Sequence, residues 1–352
     1  MVWKTNRDNI QRQTPPENPY LRKAFDFLQD WVRGTESFAL QTSGSTGNPK
    51  VITVSRHQLM ASARMTGQAL SLHAGTRALV CLNIGYVAGL MMLVRGMELN
   101  WELTIIEPSS NPLQDMDEDF DFIAMVPAQL DGCIADPRTA LALRRVGKIL
   151  LGGAPVGLDL AKRIQQLDTP VFQSYGMTET VSHVAIRRLN GPNAEECYTL
   201  LPEIISGVDD RGCLWVSGAV TAHEVVQTND LVEMVSEKVF RWIGRSDNVI
   251  NSGGVKIILD QIDAVVAEVL AEERMSIPFF SWYQPDEKLG QKLILIFEGE
   301  RDDVDEDALL VEIRKRVSAY QTPKHVYFVP RLVKTPTDKV DKRLTVALIY
   351  TK

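Results

Sequence analysis

Five short apolar runs, at residues 78–82, 103–106, 122–126, 149–151 and 171–172, alternate with stretches of helical periodicity, and this alternation leaves few architectures open. The runs are short and nearly free of polar residues, as strands covered on both faces are. Between them, Leu59, Ala63, Thr66 and Leu70 fall on one helical face, and residues 138–146 and 156–167 read similarly. Strands alternating with helices predict a largely parallel sheet with helices on its faces. Ahead of this region lies a polar stretch punctuated by Pro15, Pro16 and Pro19, with one amphipathic helix over 21–32. After about Cys197 the pattern changes. Residues 214–216 and 239–243 predict hairpin strands, and a second unit begins near Asp247. That unit is expected to hold a helix over 259–270, a strand over 293–297, a helix over 304–320 capped by Asp303 with Glu306 three residues on, and a strand over 326–329.

Composition narrows the class. With 38 basic and 45 acidic side chains the formal charge is −7, which argues against a general nucleic-acid or anionic-membrane binder. Cys81, Cys133, Cys197 and Cys213 include no CxxC pair, so no zinc or thioredoxin-type motif is signalled and a reducing compartment fits. Residues 1–10 carry no apolar signal core. The apolar run 87–94 stops at Arg95, far short of the roughly 20 residues a membrane helix needs. The expectation is a cytoplasmic protein without stable membrane insertion.

The most specific local feature is Thr42-Ser43-Gly44-Ser45-Thr46-Gly47-Asn48-Pro49-Lys50, set between apolar Phe38-Ala39-Leu40 and Val51-Ile52. Glycines let backbone N–H groups approach a phosphate, hydroxyls donate to it, and a lysine adds charge. A Walker A loop would need Gly and Lys adjacent, followed by Ser or Thr; here Asn48 and Pro49 intervene.

The segment resembles the phosphate loop of the adenylate-forming ligase superfamily, which includes acyl- and aryl-CoA ligases and peptide adenylation domains. Further segments follow in that superfamily's order. Gly152-Gly153-Ala154-Pro155 resembles the lining of the adenine pocket, and Tyr175-Gly176-Met177-Thr178-Glu179-Thr180 the Y-G-x-T-E signature. Thr228-Asn229-Asp230 resembles T-G-D, with Asn229 in place of Gly. Gly244-Arg245-Ser246-Asp247 through Gly253-Gly254 resembles G-R-x-D-x-x-I-x-x-G-G. Residues 335–343 resemble T-x-x-G-K-x-x-R, with Asp338 where Gly is usual. The resemblance implies a large N-terminal α/β domain with parallel sheet layers, residues 1–246, and a small α+β C-terminal lid, residues 247–352.

It also implies a reaction. A carboxylic acid attacks the α-phosphorus of ATP, pyrophosphate leaves, and CoA then takes the acyl group, so positive charge and oriented donors dominate. Thr178 would contact the α-phosphate, and Glu179 would supply Mg²⁺ with the hard oxygen ligand it prefers. Tyr175 would stack on adenine, Asp230 would accept from the ribose hydroxyls, and Arg245 would donate to ribose or phosphate. Lys339 would bridge the attacking carboxylate and the α-phosphate. Asp247 falls at the hinge between domains, and Gly253 and Gly254 would border a CoA channel, unless they only form a tight turn.

Residues 81–95 occupy the superfamily's acyl-site segment, with Tyr86 where many CoA ligases carry His or an aromatic residue. This stretch is most similar to o-succinylbenzoate–CoA ligases of menaquinone biosynthesis. That acid has two carboxylates, and the one left unactivated needs a cation or strong donors to be bound without water. Arg95 is the candidate, although two and a half helical turns separate it from Tyr86 and a helix-end salt bridge is the alternative. Ser182 and His183 are further pocket-edge candidates. Another aryl or acyl acid, a carrier protein loaded in trans, and an inactive nucleotide-binding protein are the competing readings. Only 41 residues precede the phosphate-loop segment, fewer than the superfamily usually carries there, which suggests a reduced sheet and a homodimer that completes one face.

Overall fold

The computed structural model describes residues 1–41, 51–301, 304–335 and 340–350. In chain order the first unit runs β1 (Val2–Thr5), α1 (Pro19–Val32), β2 (Ser37–Gln41), β3 (Val51–Ser55), α2 (Arg56–Leu70), β4 (Arg77–Val80), α3 (Val87–Leu99), β5 (Glu102–Ile106) and β6 (Phe120–Met125). It continues with α4 (Pro127–Ala135), α5 (Pro137–Leu143), β7 (Val146–Leu151), α6 (Leu158–Ile164), β8 (Val171–Gly176) and β9 (His183–Arg188). Strands β10 (Tyr198–Leu200), β11 (Ile205–Val208), β12 (Cys213–Ser217), β13 (Val226–Ser236) and β14 (Val239–Arg245) follow. The remaining elements are β15 (Val249–Ser252), β16 (Val255–Ile258), α7 (Leu259–Glu272), β17 (Phe279–Asp286), β18 (Gly290–Glu298), α8 (Glu306–Arg314), β19 (His325–Val329) and α9 (Lys342–Tyr350).

The five apolar runs form the parallel centre of a 12-stranded sheet, in the order β5-β4-β6-β7-β8. Their composition follows from burial on both sides. In β4, Ala78 and Val80 enter one core with α1, α2 and α3, while Leu79 enters the opposite core with α4, α5 and α6. In β6, Phe122 and Ala124 face the first core and Ile123 and Met125 the second, so the period-2 alternation of a half-wet strand is absent. The sheet continues through antiparallel strands: β1 on β5 at one edge, and β9-β10-β14-β13-β12-β11 beyond β8. The 12-stranded sheet changes from parallel to antiparallel at β8, and β2 and β3 form a separate two-stranded sheet.

The second unit has its own five-stranded sheet and its own cores around Ile257, Leu295 and Ile296. The first sheet ends at Arg245 and the next strand begins at Val249.

Several boundaries differ from the sequence expectation, each for a local reason. Strand β4 stops at Val80 because the Cys81 carbonyl accepts from Gln129 and the Leu82 carbonyl from Tyr20. Helix α5 ends at Leu143 because Val146 pairs with Phe120 to open β7. Helix α8 starts at Glu306 with the Asp305 side chain accepting from the Ala308 amide; Asp303, the expected cap, lies outside the described residues. Strand β13 separates β12 from β14, where the sequence suggested a simpler hairpin.

Helix α3 runs through Arg95 to Leu99 rather than ending there. It is seated by Gly89, where a Cβ would come within 2.4 Å of the Asn83 carbonyl oxygen and 2.7 Å of that of Leu82. Gly89→Ala should therefore push α3 off the preceding turn and cost about 1–3 kcal/mol of stability, read as an earlier urea or thermal unfolding midpoint. An unchanged midpoint would mean that this contact relaxes freely.

Candidate active site

Parallel strands end together, and the loops that leave their carboxyl ends form a shared crevice. Here the ends of β4, β7 and β8 release three of the segments singled out in the sequence: residues 81–86, 152–155 and 176–183. Gly152, Gly153 and Ala154 lead out of β7; Gly153 has φ +84° and Gly152 lies against Ser174 Oγ. The phosphate-loop residues Thr42, Ser43, Gly44, Ser45, Thr46, Gly47 and Lys50 lie outside the described residues, as does Lys339. The described strands β2 and β3 pair from Ser37–Ser55 to Gln41–Val51 and flank the phosphate-loop segment.

The signature segment is shaped by two backbone constraints. A Cβ at Gly176 would lie 2.4 Å from the Ser182 carbonyl oxygen, so the fold of this loop on β9 admits only glycine. Thr178, Glu179 and Thr180 then form a single 3-10 turn. The chain reverses at Val181, with φ 65° and ψ −54° and the Ser182 amide donating to the Thr180 carbonyl at 2.7 Å. A buried β-branched residue in this three-residue turn is strained, by about 1–3 kcal/mol. Before the turn Glu179 is exposed; after it Ser182 and His183 meet Arg95. No hydrogen bond or ion pair among the described residues engages the Glu179 carboxylate. An exposed carboxylate is a ligand Mg²⁺ accepts, since that ion keeps several waters and takes few protein ligands.

Arg95 carries the strongest electrostatic statement in the structure. It is 2% exposed in the middle of α3, and its partners are neutral. Nε donates to Thr66 Oγ1 at 3.3 Å, Nη2 to Ser182 Oγ at 3.1 Å, and among the described residues Nη1 meets only the Met92 sulfur at 3.8 Å. His183 Nδ1 lies 3.5 Å from Nη2 and 3.3 Å from Ser182 Oγ, while Nε2 lies 3.3 Å from Thr66 Oγ1. Arginine has only donors, so the nitrogen facing it is the lone-pair side and the imidazole proton sits on Nε2, toward Thr66. Thr66 donates onward to the Ser62 carbonyl at 2.9 Å. Burial pulls the Arg95 guanidinium down to about 10, so it stays charged at neutral pH. Burial, and secondarily Arg95, hold His183 well below its usual range and neutral. A buried cation without a counter-charge is costly, and a ligand carboxylate would relieve it. Among the described residues no carboxylate contributes to these contacts, so the helix-end salt bridge considered from the sequence is not formed there.

A second cluster surrounds Asp230. Its carboxylate accepts from the Tyr175 hydroxyl at 2.7 Å and from Trp242 Nε1 at 3.3 Å, with Arg245 Nη1 at 3.6 Å. Tyr175 packs edge-on against Phe240, and burial followed by Asp230 pushes its phenol upward. Tyr175 and Asp230 thus meet directly, which no sequence spacing indicated. Arg245 also pairs with Asp247 at 2.6 Å, and Asn229, where the motif has glycine, donates to the same carboxylate at 3.2 Å. Gly253 and Gly254, with φ of 61° and 84°, form the two-residue turn between β15 and β16, a geometry that itself calls for glycine. Tyr86 stands just before α3 at its N-cap position, 46% exposed.

Sequence reasoning missed Thr66, which reads as part of an apolar helix face, and Val181, whose strain has no sequence signal. It also missed Trp242.

Comparison with known proteins gives the context. A family model described as "AMP-binding enzyme" matches residues 32–205. The crystal structure of an acyl-CoA synthetase (AMP-forming)/AMP-acid ligase II-like protein from Dyadobacter fermentans is 57% identical, covers 99% of this chain and 100% of its own, and superposes with a TM-score of 0.71. A 2-succinylbenzoate–CoA ligase of Listeria monocytogenes is 24% identical over 342 residues, 90% of this chain and 71% of the relative. A feruloyl-CoA synthase of Amycolatopsis is 26% identical over 343 residues, 86% of this chain and 68% of that one.

The low His183 pKa has a measurable sign. In the unfolded chain the ring takes a proton near 6.5, while the folded ring does not. Stability should therefore fall as pH drops below about 6.5, by up to about 1.4 kcal/mol per unit, until the folded ring itself titrates. His183→Gln should flatten this part of the stability–pH curve. An unchanged slope would assign it to other groups.

Proposed function

The chain belongs to the AMP-binding enzyme family, and from that membership we propose that this AMP-forming acid–CoA ligase activates o-succinylbenzoate and transfers it to CoA, releasing AMP and pyrophosphate. One observation carries the choice of acid: Arg95 is buried, charged and without a carboxylate partner among the described residues. o-Succinylbenzoate has a carboxylate to spare. While its succinyl carboxylate reacts, the other pairs with Arg95, with Ser182 and His183 at the edge and Thr66 holding the guanidinium. A monocarboxylate would leave Arg95 unpaired.

The roles of the remaining residues follow from charge. Attack of a carboxylate on the α-phosphorus brings two anions together, and the chain must orient donors at that point. Thr178 donates to the α-phosphate, and Glu179 would hold Mg²⁺, which when bound neutralises phosphate charge. Tyr175 offers its ring to adenine, and Asp230 and Arg245 serve the ribose. Lys339, from the C-terminal lid of residues 247–352, bridges the reacting oxygens. Residues 1–246 bind ATP and the acid, Asp247 is the hinge, and Gly253 and Gly254 border the CoA path.

Pyrophosphate release with ATP, Mg²⁺, CoA and a panel of acids tests the reading. Turnover should depend on o-succinylbenzoate over benzoate, ferulate and fatty acids; preference for a monocarboxylate would support another acid–CoA ligase. ATP binding without turnover of any acid would mark an inactive nucleotide binder. Arg95→Leu should raise KM for o-succinylbenzoate roughly 10- to 100-fold and affect a monocarboxylate little, whereas a uniform loss would reject the assignment. The two half-reactions separate the lid residues. Asp247→Pro should slow thioester formation from supplied acyl-adenylate far more than adenylate formation, and Lys339→Ala should do the reverse. Equal slowing of both steps by both variants would sink the hinge role.

A further inference from the structure

We infer that helix α1 is a strut for the acid site and that Tyr20 is the positioning residue at its working end; the inference rests on the reading of α3 and Arg95 as the acid subsite. The Tyr20 hydroxyl reaches out of α1 into the turn between β4 and α3. It donates to the Leu82 carbonyl and accepts from the Ile84 amide, both at 3.1 Å. Leu82 and Ile84 are buried, strand β4 has already ended at Val80, and α3 has not yet begun. These two backbone groups are therefore outside the ladders on either side, and the hydroxyl satisfies both.

The turn it holds leads straight to the acid site. Gly89 seats α3 against the carbonyls of Leu82 and Asn83, Tyr86 stands at the helix start, and Arg95 lies on the same helix. A displacement of the turn moves all three together. On the other side, Gln129 Nε2 holds the Cys81 carbonyl at 3.1 Å, so the segment is gripped from both faces of the sheet.

Helix α1 is rigidly mounted. Asn18 caps it, accepting from the Tyr20 and Leu21 amides, and Leu21, Phe25 and Leu28 are buried in the core shared with α3. At its far end Arg56 donates to the Trp31 carbonyl at 2.7 Å and lies over the Trp31 ring, 4.0 Å from its centroid. The two ends are thus separable. Loss of the Tyr20 hydroxyl frees the acid-site turn without unseating the helix; a change at Arg56 loosens the helix without touching that turn.

Steady-state pyrophosphate release, with acid and ATP varied in turn, tests this in wild type, Tyr20→Phe, Arg56→Lys and Arg95→Leu, using the acid of the panel that wild type turns over fastest and a thermal midpoint for each variant. Tyr20→Phe should raise KM for the acid about tenfold and KM for ATP less than about twofold, since small misplacements are felt at the group displaced. Arg56→Lys should lower the midpoint without that split. If Tyr20→Phe leaves the acid KM unchanged, or raises both KM values alike while its midpoint falls as in Arg56→Lys, α1 is ordinary packing and the inference fails. If Arg95→Leu raises the acid KM and Tyr20→Phe does not, the strut fails alone. If Arg95→Leu has no effect on the acid KM, the acid-site reading itself fails.

Discussion

Five parallel strands covered on both faces govern the rest of this molecule. Parallel pairing requires crossovers, the crossovers place helices on both sides, and neither face can then be polar. Chemistry is displaced to the carboxyl ends, where β4, β7 and β8 release the three segments that carry the candidate site. The change to antiparallel pairing at β8 brings β13 and β14 within reach, so that Asp230 can meet Tyr175 although 55 residues separate them.

Within that frame, Arg95 is the exception that indicates a ligand. Apart from Glu98 in its last turn, which pairs with Arg64, the helix carrying it is otherwise apolar, and the core around it contributes hydroxyls, an imidazole and a thioether. Neutral partners orient a guanidinium but do not cancel its charge. The strained turn at Val181 places two of those partners immediately after Thr178 and Glu179, so the proposed acid subsite and the residues proposed to face phosphate share one short loop. Strain of this kind persists where surrounding structure holds it in place, and here Gly176 and β9 do so.

Much of this was legible in the residues. The apolar runs at 78–82, 103–106, 122–126 and 149–151 each became a central strand, with ends within three residues of the expected ones, because burial on both faces leaves an unmistakable composition. Boundaries were less legible. Whether a helix over 138–146 ends at 143 or 146 depends on a strand partner at Phe120, which is no property of the local text. The acyl-site segment was located by its resemblance, but the distance of nine residues from Tyr86 to Arg95 argued against a shared role, and that argument treated the helix alone. What matters is the face on which Arg95 meets Ser182 and His183, and Tyr86 precedes the helix rather than lying on it.

The sequence by itself determined the alternation of strands and helices through β8, the two-sided burial of the parallel strands and the succession of segments that resemble nucleotide-binding motifs, since these depend on residue type and on neighbours a few positions away. Tertiary structure alone decided that Arg95 has hydroxyl and imidazole neighbours from positions 29, 87 and 88 residues distant and, among the described residues, no carboxylate, that the Asp230 carboxylate is met by Tyr175, and that Tyr20 grips the turn before α3. A charge becomes costly, and therefore informative, only when the surrounding groups exclude water, and no stretch of text states which groups those will be.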